Sequence, residues 1–209
     1  VRGFISTGSQ SIAGDKTFSN DISANGVYIG KGTNARTGNI AIGSSSNVGN
    51  KNFSVNTSTT AINNIAIGVT TLSSLADGYS NNAVGNGALS GTNGGYQNNA
   101  FGFEALKGNT TGDNNSGFGH SALQSNSTGN DNTAVGFNSL VSTTGSQNTA
   151  IGSTSNVSAG KSNSTAIGYG ATVSENNTIQ LGNTEVTSVN TSAALTTGCL
   201  LYTSDAADE

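Results

Sequence analysis

Apolar residues recur along this chain in one five-residue phrase, which in most copies runs Asn, Ser or Thr, any residue, Ala, an apolar residue and Gly. Nine copies occur; NNAFG (98–102) and NTAVG (132–136) are typical, and TIQLG (178–182) is the most divergent. The closing glycines lie 25, 17, 17, 17, 17, 16, 16 and 14 residues apart. So regular a period indicates a repeat architecture in which each unit folds alike.

Each unit carries a second apolar residue four or five positions after its glycine, such as Leu106 after Gly102 or Val157 after Gly152. The rest of the unit is rich in Gly, Asn, Ser and Thr, which are poor helix formers. The period is also too short for helical repeats, which need about 30 residues. We therefore predict one β-solenoid coil per unit, with two short strands joined by tight turns. Coils stacked about 4.8 Å apart would make the eight intervals a rod of about 38 Å.

Two sets of residues follow from this phase, with positions counted from the closing glycine. The glycines are predicted to be structural turn residues, because glycine adopts positive φ at little cost. They are Gly43, Gly68, Gly85, Gly102, Gly119, Gly136, Gly152, Gly168 and Gly182. The apolar residues at −1 are predicted to form a column that points into the coils. They are Ile42, Ile67, Val84, Phe101, Phe118, Val135, Ile151, Ile167 and Leu181.

Asparagine occupies position −4 in seven units. Stacked coils would place these amides in a hydrogen-bonded ladder, but the turn preference of asparagine explains them as well. The residues are Asn39, Asn64, Asn81, Asn98, Asn115, Asn132 and Asn148.

The apolar content of a unit is small. Two or three apolar residues in 17 cannot enclose a wide interior, so we expect the chain to bury apolar surface against copies of itself. Three-fold packing is one closed solution, although spacing alone does not give the number three.

Composition favours an ordered repeat over a disordered polar tract. Only 33% of the 209 residues are hydrophobic and 9% are charged, which resembles a low-complexity segment. Disorder gives apolar residues no reason to recur in phase, however, and here one precedes every closing glycine. The absence of proline also suits strands that pair on both sides.

The last eleven residues, 199–209, differ in style from the repeats and read like a translated sequencing adapter. We expect them to be a non-native tail, the alternative being a genuine divergent one. Without them the acidic residues fall from 11 to 8 against 7 basic ones, so the net charge changes from −4 to −1, and no cysteine remains. A near-neutral surface argues against nucleic-acid capture. Because the chain also starts at Val1 and lacks methionine, we expect an internal piece of a longer protein.

The repeated phrase N-x-A-[IVF]-G resembles the YadA-like head repeat of trimeric autotransporter adhesins over residues 39–182. Its NTAVG and GDNN variants, and the opening segment 7–32, also resemble bacteriophage tail fibres. The resemblance implies a left-handed parallel β-roll with three chains on one axis. It also implies the head or shaft of an attachment fibre, located outside the cell on an outer-membrane-anchored parent or on a virion.

The repeats divide the chain into segments. We predict an N-terminal β-rich fibre segment over 1–32, head-like repeats over 33–182 and an exit segment over 183–198. The 25-residue gap after Gly43 predicts a loop insertion near 49–60, which either carries binding or is a tolerated loop.

Few residues suit catalysis or metal binding, and we predict no catalytic, cofactor-binding or metal-binding residue. The single histidine, His120, occupies a slot filled elsewhere by Asn86 and Phe103, so we expect it to face solvent. No second histidine and no cysteine outside the tail is present for a histidine–cysteine metal site. Asp113 and Asp131 are too sparse for calcium-binding repeats.

The function we predict is a non-enzymatic structural and adhesive module of an attachment fibre. Its partners would be copies of itself, as a homotrimer, and a host-surface glycan or a matrix or envelope protein, with no nucleic acid and no direct membrane contact. Exposed aromatic residues would suit a sugar surface; the candidates are Tyr96, Phe103, Phe137 and Tyr169.

Three alternatives remain. One is a capsule-polysaccharide depolymerase fibre, which would need paired carboxylates. The acidic residues of the regular coils are Glu104, Asp113, Asp131 and Glu175. Another is a purely structural spacer. The last is an ice-binding solenoid, for which no Thr-x-Thr column recurs at the coil period.

Overall fold

The computed structural model describes residues 22–24, 27–30, 39–44 and 61–188, and these form an all-β structure without a helix. The strands are β1 (Ile22–Ala24), β2 (Val27–Gly30), β3 (Ile40–Ser44), β4 (Ile65–Ile67), β5 (Asn82–Val84), β6 (Asn99–Phe101), β7 (Ser116–Phe118), β8 (Thr133–Val135), β9 (Thr149–Ile151), β10 (Asn156–Val157), β11 (Thr165–Ile167), β12 (Thr172–Val173) and β13 (Ile179–Leu181). The predicted insertion at 49–60 and the tail at 199–209 lie outside the described residues. The boundaries predicted at 1–32, 33–182 and 183–198 stay predictions.

One strand of each coil belongs to a continuous parallel sheet. Strands β3 to β9, then β11 and β13, pair in that order, and each pairs with like residues of the next coil. Ala100, for example, lies beside Ala83 on one side and Gly117 on the other. The predicted β-solenoid with coils of 14–17 residues is therefore confirmed, and its left-handed sense stays a prediction.

The N-terminal edge of this sheet is closed by a hairpin. Strand β2 pairs with β3 in the antiparallel sense, and β1 pairs with β2. An uncovered parallel edge would offer unpaired amides and carbonyls to other chains, and the antiparallel strand occupies them. Gly43 lies inside β3 opposite Tyr28, so its predicted turn role is wrong, because pairing with β2 holds it in a strand.

The prediction of two strands per coil holds only for the last coils. Strands β10 and β12 form a second parallel pair after Gly152 and Gly168. In the earlier coils this side is a run of turns, because leucine at +4 is left-handed, with φ of 52° at Leu106. These turns still bond to the next coil, as Leu106 N does to Ala122 O at 2.9 Å.

The interior of the coil is narrow, and two columns of apolar side chains make up much of it. One column is alanine at position −2, at most 2% exposed, with Gly117 and Gln180 replacing alanine in two of the nine units. The other is the leucine or valine after the glycine, and each fully buried member contributes about 1.5–3 kcal/mol. Its members are Leu72, Leu89, Leu106, Leu123, Leu140, Val157 and Val173.

The apolar column at −1 points away from the interior of the coil, so its predicted inward orientation is wrong. Phe101 is 39% exposed and Ile151 is 44% exposed. Ala100, which directly precedes Phe101 in its strand, is fully buried. Side chains alternate across a strand, so an inward alanine forces both of its neighbours outward. The residues of this column are Ile42, Ile67, Val84, Phe101, Phe118, Val135, Ile151, Ile167 and Leu181.

Candidate interaction surface

The closing glycines are the points where successive coils touch most closely. Gly119 has φ of 140°, a region reserved for glycine, and a Cβ there would overlap the carbonyl oxygen of Gly136 in the next coil. Eight of the nine closing glycines have the positive φ that the predicted turn role requires. They are Gly68, Gly85, Gly102, Gly119, Gly136, Gly152, Gly168 and Gly182.

The asparagines at −4 form the hydrogen-bonded ladder, which decides between the two sequence interpretations. The backbone N–H of Asn98 donates to Asn81 Oδ1 at 3.0 Å, and Asn98 Oδ1 accepts from the N–H of Asn115 at 2.9 Å. Asn98 Nδ2 donates to the carbonyl of Gly112 at 2.8 Å. We call this column the asparagine ladder; it comprises Asn39, Asn64, Asn81, Asn98, Asn115, Asn132 and Asn148. All seven members are at most 5% exposed, so they hold the coils in register from within.

The outward residues at −1 form a continuous exposed surface along the rod, which we call the apolar stripe. The rings of Phe101 and Phe118 stack in parallel with centroids 5.2 Å apart, and aliphatic residues continue the column on both sides. Soluble monomers rarely expose so long an apolar surface, which marks an interaction site. The stripe spans the parallel strands and therefore about 38 Å.

A second exposed column lies directly after the glycines. Phe103 and His120 stack with centroids 4.9 Å apart, and Phe137 lies 5.2 Å from His120 on its other side. Phe103, Phe137 and Tyr169 are 45%, 50% and 70% exposed. The predicted solvent-facing position of His120 is confirmed.

A third column lies at position −6, at a corner of the coil, and was missed by the sequence reasoning; its members are half-buried except for the exposed Asn176. Here the backbone N–H of Asp113 donates to Asn130 Oδ1 at 2.8 Å, and that of Asn130 donates to Ser146 Oγ at 3.0 Å. We call this column the corner ladder; it comprises Asp113, Asn130, Ser146, Ser162 and Asn176. A short side-chain oxygen at −6 in five successive units was the signal for it.

Aromatic residues replace that pattern in the two preceding coils. Tyr79 and Tyr96 occupy position −6, with parallel rings whose centroids are 4.9 Å apart. The N–H of Tyr96 donates to Asp113 Oδ1 at 3.0 Å. A side-chain hydrogen bond to Asp113, together with the charge of that carboxylate, raises the pKa of Tyr96 above its ordinary value.

Of the four carboxylates considered for catalysis, Glu104, Asp113 and Glu175 make structural contacts, and Asp131 is exposed. Glu104 pairs with Lys107 at 2.7 Å and accepts a hydrogen bond from Gln124. Asp113 belongs to the corner ladder, and Glu175 lies 3.5 Å from Lys161.

Within the described ranges no group of three or more His, Cys, Asp or Glu side chains is placed to hold a metal ion. No helix in the described part of the chain is long and apolar enough to cross a membrane.

Comparison with known proteins gives one structural similarity. The chain is similar to the crystal structure of the collagen-binding domain of the Yersinia adhesin YadA, at 25% sequence identity and a TM-score of 0.42. The alignment covers 66% of this chain and 75% of that one. No protein-family model and no curated protein matches the chain. The strand pairing of this chain itself establishes the fold.

Proposed function

We propose that this chain is a non-enzymatic segment of an extracellular attachment fibre. Three copies pack their apolar stripes against one another, and the outer corners of the coils contact a host surface. The exposed apolar stripe is the observation that carries this proposal. The resemblance of the repeated phrase to adhesin heads and tail fibres supports the trimer and the adhesive role.

The stripe has the chemistry of a surface made to be covered. Its members are half-buried or exposed in the single chain, and they share one face of a regular parallel sheet. Covering the exposed part of one phenylalanine contributes about 1 kcal/mol. Repeated over the nine members of the stripe, this gain is large enough to favour association, and a three-fold arrangement closes so that no stripe stays exposed.

Sedimentation equilibrium tests the assembly. The chain is expected to sediment at three times its own mass. Exchanging Phe101 and Phe118 together for threonine should release folded monomers, because threonine suits an outward strand position but removes the aromatic stack. Ile62→Thr is the matched control, since Ile62 is exposed but lies outside the stripe. A folded monomer from the unmodified chain would overturn the trimer.

Attachment is tested by coating fluorescent beads with the chain. Coated beads should adhere to mammalian epithelial cells or to bacterial cells, which separates an adhesin from a phage fibre by its target. Albumin-coated beads give the background. Adhesion at background level on both cell types would contradict the adhesive role and leave a structural spacer.

The absence of enzymatic activity is also part of the proposal. The carboxylates of Glu104, Asp113 and Glu175 are engaged with lysine, glutamine and backbone groups, which leaves no pair of free carboxylates among these three. Incubation with capsular polysaccharide should therefore release no reducing ends. Measurable turnover would favour the depolymerase instead.

A further inference from the structure

The corner of the coil stack departs from its own rule at Ile62, Tyr79 and Tyr96. In the following coils, position −6 provides a short side-chain oxygen that accepts the backbone N–H of the coil before it, as Asn130 does for Asp113. A tyrosine hydroxyl lies at the far end of its ring and cannot accept that bond. The two tyrosines therefore replace a stabilising contact with a stacked aromatic pair, in which Tyr79 is exposed and Tyr96 is half-buried. Departures of this kind concentrate at functional sites.

The surface around the tyrosine pair combines apolar area with hydrogen-bonding groups. Ile62 precedes Tyr79 in the same column and is 37% exposed, and Tyr79 is 40% exposed. Asp113 follows Tyr96, and the exposed amide of Gln97 projects from the adjacent left-handed residue. We call Ile62, Tyr79, Tyr96, Gln97 and Asp113 the corner patch. It offers aromatic hydroxyls, an amide and a carboxylate around an apolar centre.

Size and charge identify the class of ligand that fits the corner patch. Three apolar side chains are far fewer than the 20–30 residues that a stable protein interface uses on each side (about 800 Å² per partner). The charged member of the patch, Asp113, is negative, so an anionic ligand would be repelled. A neutral sugar presents an apolar ring face together with hydroxyls that both donate and accept, and it matches both features.

We propose that the corner patch binds a neutral glycan and is the receptor-contact site of the fibre. The inference rests on the adhesive function proposed above and assigns it a place and a ligand class. A shallow patch binds a single sugar weakly. Three copies in one fibre, and many fibres on one surface, would raise the overall affinity through multivalency.

Exchange of the tyrosines for asparagine separates binding from folding. Tyr79→Asn and Tyr96→Asn each install the side-chain oxygen that the other coils use, so the double variant should be at least as resistant to urea as the parent chain. Binding to a printed panel of neutral and sialylated oligosaccharides should fall at least tenfold. Ser162→Tyr is the matched control: it adds a tyrosine to the same column at a coil that does not contact the corner patch, and it should leave glycan binding unchanged.

The outcomes of this experiment are distinct. Binding of the parent chain to neutral oligosaccharides that is lost in the double variant supports the proposal. Failure to bind any neutral member, binding to sialylated members only, or full binding by the double variant overturns it. Bead adhesion by a double variant that equals the parent would also overturn it while leaving the adhesive function intact. Adhesion of parent-coated beads at background level would contradict the adhesive function itself.

Discussion

The asparagine ladder and the corner ladder both run along the coil stack, yet they differ in burial, direction and regularity. In the asparagine ladder a backbone N–H donates to the side chain of the preceding coil, and in the corner ladder it donates to that of the following coil. The buried asparagine ladder keeps one residue type over seven coils, whereas the half-buried corner ladder mixes Asp, Asn and Ser and gives way to tyrosine. The buried ladder keeps asparagine because no water can replace a hydrogen bond that a substitution removes. The column that solvent reaches tolerates other residue types, which leaves room for other functions.

The largest effect should come from a change that separates the coils and so breaks both ladders. Gly119→Val forces a branched residue into φ of 140° and against the backbone of Gly136. Strain and overlap together should lower the free energy of unfolding by about 3–6 kcal/mol. Urea denaturation followed by circular dichroism measures it. His120→Asn, one position later at an exposed site, should change the stability little, and similar losses in both variants would refute the close-contact argument.

The next prediction compares one rung from each ladder. Asn98→Ala removes the acceptor of the Asn115 N–H and the donor to the Gly112 carbonyl inside the coil, which should cost about 3 kcal/mol. Asn130→Ala removes the acceptor of the Asp113 N–H at the surface, where water can replace it, and should cost about 1 kcal/mol. Equal losses in urea denaturation would show that burial does not distinguish the ladders.

A smaller effect is expected where the interior leaves a polar group without a bond. Thr92 is fully buried, and its Oγ1 has no hydrogen-bond partner among the described residues. Thr92→Val keeps the shape and removes the hydroxyl, so the free energy of unfolding should rise by about 1 kcal/mol. Thr71→Val is the control, because Thr71 Oγ1 donates to the Gly68 carbonyl and its loss should not stabilise the chain. Destabilisation by Thr92→Val would show that this hydroxyl is satisfied.

The sequence predicted the coil, its period and the turn glycines, but it did not predict which side of the strand faces inward. Alternation allows either Ala100 or Phe101 to be buried, and hydrophobicity alone favours phenylalanine. The width of the interior decides, and it is set by left-handed turns at residues such as Leu106, a residue type that rarely adopts positive φ. The corner ladder escaped detection because Asp113 and Ser146 differ in type and share only a short side-chain oxygen.

The smallest effect should come from an ion pair on the exposed side. The hydrogen bond from Lys107, at 2.7 Å, lowers the pKa of Glu104 below its ordinary value of 4.5. The lowered pKa of Glu104 stabilises the folded state relative to the unfolded state, and this stabilisation is fully present above pH 4.5. It is lost as the pH falls through the lower pKa that Glu104 has in the folded state. Glu104→Gln should therefore cost less than about 1 kcal/mol at pH 7 and nothing at acidic pH, where both chains carry a neutral side chain. Urea denaturation of both chains from pH 7 downward measures the difference. A loss that stays constant with pH would assign the role of Glu104 to its bond with Gln124, which glutamine at position 104 alters at every pH.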